Sequence, residues 1–153
     1  MVGAKRSYIV FSAMVMDIAL AKFKADTSHE EAELFVKSLY EEYVASGLPL
    51  PTIEWISSRP KPSVLWVTKK LKERIKYDAV FPVWVDEPSW RFIGAEPMTF
   101  MHQFEVSDGT AEEYDGLVTY VFFGKQVSES GGWQVVVKMV QQERGEKGTV
   151  WIG

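Results

Sequence analysis

The chain has no cysteine and no asparagine, and only two histidines in 153 residues. Without cysteine there is no thiol nucleophile, no Cys-based zinc site, no Fe–S cluster and no disulfide framework. Without asparagine there is no acceptor for N-glycosylation. Both gaps, with a Glu/Lys-heavy charge set, lean toward a thermostable composition, although six methionines pull the other way. Phosphate-cradling glycine patterns are missing as well. No P-loop or Gly-x-Gly-x-x-Gly fingerprint follows a strand, Ser128-Glu129-Ser130-Gly131-Gly132 is not a hydrolase elbow, and no His-x-x-x-His pair is present. No apolar run is long enough to span a bilayer.

What is present is ordinary in bulk and unusual in aromatics. Hydrophobic residues make up 46% and charged residues 25%, with six tryptophans and nine phenylalanines weighted toward the second half. A chain of this size buries roughly 70% of its unfolded surface, so a single globular domain over 1–153 is expected, with no need of a covalent staple. Aromatic excess favours an apolar pocket or a partner surface. Lys5 and Arg6 before the apolar stretch Tyr8 to Met16, with Ala19-Leu20-Ala21 after it, imitate a secretory signal. Asp17 between them argues for a core element and for a soluble, cytoplasmic protein.

Two helices are marked. Ser28 and Glu31 match a capping box, and Ala32, Phe35, Leu39 and Tyr43 follow at helical spacing, with Gly47 and Pro49 as the stop; this predicts a helix over 29–46. Val64, Val67, Leu71 and Ile75 predict a second over 63–76 after the extended Arg59-Pro60-Lys61-Pro62 link. Residues 7–24 read as a strand passing into a helix, and Thr52 to Ile56 as a short strand. From Ala79 the period becomes two. Phe81, Val83 and Val85 alternate, Trp90 to Gly94 follow, and Met98, Phe100, His102, Phe104 and Val106 share one face of a long strand. Leu117 to Phe123 is apolar on both faces; Trp133, Val135, Val137 and Met139 line another strand, and a hairpin over 143–148 leads into Thr149 to Ile152.

The pattern predicts an α+β fold: two or three mostly N-terminal helices packed on a curved antiparallel sheet of about five or six strands. Helices first and a long-stranded sheet after, with apolar inward faces, resembles the order of NTF2-like cone folds, in which the cavity is an active site or a binding pocket. That is a likeness of element order only, and it transfers no site.

Candidate sites follow from exceptions to these patterns. His102 interrupts an apolar strand face, where desolvation would keep it neutral, the state a general base needs; a core histidine bonded to a carbonyl gives the same letters. A pocket around it would be lined by Met98, Phe100, Phe104 and Trp133, with Asp17, Asp78 or Glu105 to orient the imidazole, and would take a small apolar substrate. His29 sits among glutamates at a helix start, facing solvent, without metal-ligand spacing. From Arg59 to Tyr77, seven basic residues (Arg59, Lys61, Lys69, Lys70, Lys72, Arg74 and Lys76) face one acid, Glu73. With Trp66 this cluster would dock a partner, or contact phosphates and stack a base, or be a solvated helix face. The whole chain carries a net charge of −4, which disfavours nucleic acid. The acidic stretch Asp108–Gly116 lacks the ligand order of a calcium loop.

These features predict a non-catalytic binding or assembly subunit that forms a homo-oligomer or docks a protein partner, with no cofactor, no metal and no membrane contact. The alternatives are a pocket enzyme using His102 as general acid or base and, more weakly, nucleic-acid binding through the basic helix.

Overall fold

The computed structural model describes residues 2–106, 116–143 and 149–152. Most of the acidic stretch Asp108–Gly116 and of the 143–148 connection lies outside them. The fold is α+β, with helices α1 (Val2–Phe23), α2 (Glu33–Ala45) and α3 (Lys61–Arg74) preceding strands β1 (Phe92–Ile93), β2 (Glu96–Pro97), β3 (Thr99–Val106), β4 (Leu117–Val127), β5 (Trp133–Glu143) and β6 (Thr149–Ile152). The six described strands do not form one sheet. β1 and β2 make a separate pair, and the others form a four-stranded antiparallel ladder in the order β3-β4-β5-β6. By its contacts the chain divides into a helical unit, Met1–Ile75 with Gly94–Glu96, and a sheet unit, Lys76–Ile93 with Pro97–Gly153.

In the helical unit, Phe11, Met14, Val15, Ile18 and Ala19 are buried. That 3.6-residue spacing overrides the β-branched Ile9-Val10, so the segment read as strand-then-helix is one helix as far as Phe23. Phe35, Val36, Leu39 and Tyr43 of α2, and Val67 and Leu71 of α3, complete the stripe pattern. Each such side chain contributes about 1.5–3 kcal/mol when fully buried. Tyr43 is the hub. Its ring packs on Phe11, Trp66 and Trp55 with centroids at 5.1, 5.2 and 6.3 Å, and its hydroxyl bonds Ser63 Oγ at 2.7 Å and the Pro49 carbonyl.

Two local elements depart from the sequence pattern. Ser28 does not cap α2, because its N–H and hydroxyl both donate to Asp26 Oδ1, at 2.8 and 2.6 Å; the helix is entered instead through a 3-10 turn, Glu30–Ala32. Thr52 to Ile56 is likewise no strand, since Ile53–Ile56 forms a 3-10 turn that buries Trp55.

In the sheet unit, β3, β4 and β5 behave as their alternation predicts, with one irregularity that redirects the site. Phe100 pairs with Phe122 but His102 pairs with Val121, so Met101 is an extra residue, a β-bulge. Beyond it every side chain of β3 changes face. One face of the ladder therefore carries Phe100, Gln103, Tyr120, Phe122, Val140 and Gln142, and the other carries His102, Phe104, Val121, Phe123, Val135 and Val137.

Candidate functional site

The middle of the first face is covered by the unit's own chain. Residues 79–91, in which Phe81, Val83 and Val85 had the alternation of a strand, form no ladder; polar side chains of the sheet hold their backbone instead. Gln142, fully buried, accepts from the N–H groups of Val85 and Asp86 at 3.2 and 3.0 Å and donates to the Glu87 carbonyl at 2.7 Å. The Tyr120 hydroxyl donates to the Val83 carbonyl at 2.9 Å and accepts from the Val85 N–H at 3.1 Å. Gln103 takes both backbone groups of Val83, at 2.7 and 3.3 Å. Rings fill the gaps between these bonds. Trp84 lies 4.4 Å from Tyr120, and Trp90 lies 5.3 Å from Phe122, with its indole N–H on the Met98 carbonyl at 2.8 Å. The covering is close enough that a Cβ on Gly124 would come within 2.6 Å of Ile93, so this strand position accepts only glycine without a shift.

The second face is open. Phe104, Phe123, Val127, Trp133, Val135 and Val137 are 44, 38, 58, 75, 64 and 42% exposed. Along β4 the smaller Thr119 and Val121 are shielded, each flanked in register by longer side chains: Phe104 and Gln141 beside Thr119, His102 and Met139 beside Val121. Among the described residues, the only Asp, Glu, Lys or Arg side chains on this face are Lys125, paired in register with Val135, and Glu143, paired with Leu117.

This arrangement separates the members of the expected pocket. Met98 and Phe100 are buried on the sealed side, while His102, Phe104 and Trp133 stand exposed on the open one. The physical reason is the Met101 bulge, which reverses the alternation between Phe100 and His102. His102 stacks on Phe104 with ring centroids 5.9 Å apart, so it occupies neither an inward face nor an apolar core. Glu105 lies on the other face of β3, and Asp17 belongs to the helical unit, where it pairs with Arg59 at 2.7 Å.

The basic cluster is also redistributed. α3 spans Lys61–Arg74 rather than 63–76. Arg74 bonds Glu42 at 2.8 Å and Lys70 lies 3.6 Å from the same carboxylate, while Lys70 also sits over the Trp66 ring at 5.5 Å. The Arg74 guanidinium holds the Glu42 carboxyl below its usual range, and Glu42 in turn raises Arg74. Arg59, Lys70 and Arg74 therefore serve the helical unit, and Trp66 is committed to Tyr43. Lys61, Lys69 and Lys72 remain exposed.

His29 is half-buried rather than solvent-facing, and lines a cleft of about 470 Å³ with Tyr8, Ile9, Met16, Thr27 and Val36. Burial raises the Tyr8 hydroxyl above its ordinary pKa. Among the described residues no group of three or more His, Asp or Glu is placed to hold a metal ion, and no helix is long and apolar enough to cross a membrane.

The sequence pattern pointed to Trp133, Val135 and Val137 as one face, but as an inward one. It gave no sign of Lys125 and Glu143 as the charged ends of that face, since their shared side follows only from the β4–β5 register. Compared with known protein families, curated protein sequences and solved structures, the chain matches none of them.

Proposed function

We propose that this protein is a non-catalytic binding or assembly subunit and that its docking element is the open face of the β3-β4-β5-β6 ladder. One observation carries the reading: six large apolar residues on that face are between 38 and 75% exposed, while Phe100, Val118, Tyr120, Phe122, Val140 and Gln142 on the opposite face are buried. Four strands of 8, 11, 11 and 4 residues, at about 3.3 Å rise and about 4.8 Å spacing, give a flat footprint of about 500 Å². The exposed tryptophan and phenylalanines are the residue types that anchor interfaces.

The basic α3 plays a lesser part in this reading than the sheet, because its Arg74 and Lys70, and Arg59 just before it, are matched within the helical unit. A pocket enzyme built on His102 draws no support from the geometry, since its lining residues lie on opposite faces of the strand. The test is binding of an environment-sensitive apolar dye, measured with solution mass. The expected result is dye binding or concentration-dependent association by the wild type, lost together in Val135→Asp and Trp133→Ser with the urea midpoint unchanged. A strict monomer that binds no dye overturns the proposal.

A further inference from the structure

Resting on that reading, we infer that the occupant of the open face is a second copy of the same chain, packed face to face about a two-fold axis through the Val121–Met139 pair. The placement of charge on the face supports this occupant. Lys125 stands four residues beyond Val121 along β4, and Glu143 stands in the row of Leu117, four residues before Val121. A two-fold axis across the strands at Val121 exchanges those two rows. Each Lys125 then lies over Leu117 of the other copy, one strand spacing of about 4.8 Å from its Glu143, so the two charges that the described residues place on this face are complementary under the operation, as an isologous interface requires. The same operation sets Phe123 and Val137 of each copy against the row of Phe104 and Thr119 of the other, so ring and branched side chains interdigitate. Strands run nearly antiparallel across the interface, within the roughly 30° that aligned sheet packing allows.

An axis centred nearer the hairpin, at the row of Lys125, would instead oppose two lysines. The charge placement thus selects one register among those the apolar residues alone would permit. A footprint of about 500 Å² on each copy is smaller than the roughly 800 Å² per partner of a standard interface, which predicts a reversible dimer rather than an obligate one.

The experiment is a charge exchange read by sedimentation velocity across the micromolar range. Lys125→Glu and Glu143→Lys, each made in the full chain, place like charges opposite each other, and each is expected to weaken self-association about tenfold. Mixing the two variants in equal amounts restores both opposite-charge pairs in a heterodimer, so association in the mixture is expected to return to near the wild-type level. Both side chains are exposed, so folding should be unaffected, and equal urea midpoints verify this. Association that is insensitive to both reversals, or a mixture no better than its components, overturns the register. A wild type that stays monomeric yet binds dye through Val135 and Trp133 overturns the second copy as occupant and leaves the docking face standing. A monomer that binds no dye removes the docking reading itself.

Discussion

Replacing Gln142 by leucine tests the mechanism that leaves one face of the ladder covered and the other bare. The substitution nearly preserves volume, so packing against Val140 and Tyr120 changes little, but three hydrogen bonds to residues 85–87 are lost. At about 1 kcal/mol net for each bond the direct loss is about 3 kcal/mol. Two features of the structure reduce it. The Val85 N–H keeps its bond to the Tyr120 hydroxyl, and with Asp86 half-buried and Glu87 exposed, water can take over part of the pairing. The expected cost is therefore about 2–3 kcal/mol by urea denaturation, with a melting temperature about 5–10 °C lower for a chain of this size. Because Tyr120 and Gln142 share the Val85 N–H, Tyr120→Phe added to Gln142→Leu should be worse than the sum of the two. Hydrogen exchange should locate the loss in residues 79–91. A cost below about 0.5 kcal/mol, or strict additivity with Tyr120→Phe, would refute the idea that side chains of the sheet hold this segment in place.

Three further outcomes follow from the helical unit. Lys24 ends α1 with φ 55, a left-handed conformation, so Lys24→Gly should raise stability by about 1 kcal/mol by urea denaturation. Tyr43→Phe removes the hydroxyl partner of the fully buried Ser63 and should cost about 1–3 kcal/mol in the same assay. Glu42 has a depressed pKa when folded, so its contribution is present above the unfolded carboxylate range and is lost as pH falls through the folded value. With the side chain 36% exposed, that contribution is below about 1 kcal/mol. Glu42→Gln should accordingly lower stability at neutral pH by that amount and converge on the wild type in acid.

α2 and α3 were legible because their apolar residues repeat at helical spacing over three turns or more, a pattern that packing reinforces. α1 was not, because Ile9 and Val10 carry β propensity while the stripe through Phe11, Met14, Val15, Ile18 and Ala19 is set by burial. The Phe81-Val83-Val85 alternation had the period of a strand, but its backbone partners are the side chains of Gln103, Tyr120 and Gln142, distant in sequence. The candidate site was misplaced for a comparable reason. Met98, Phe100, His102, Phe104 and Val106 alternate without a break in the letters, and a bulge at Met101 leaves no mark in an apolar run. Trp133, Val135 and Val137 were correctly grouped, yet an apolar face looks the same in sequence whether its cover is part of the same chain or arrives from outside. The basic cluster was visible as a run of lysines and arginines, whereas Asp17 and Glu42, which hold Arg59, Arg74 and Lys70, come from elements the run does not touch.

The most direct test of the account is oxidative footprinting of the tryptophans as a function of protein concentration. Trp133 is 75% exposed on the open face and Trp90 is 0% exposed beneath the sealed one. At low concentration Trp133 should label readily while Trp90 stays protected, and rising concentration should protect Trp133 alone. A Trp133 already protected in dilute solution, or labelled equally at every concentration in the absence of any partner, would contradict a bare face that closes on a second copy.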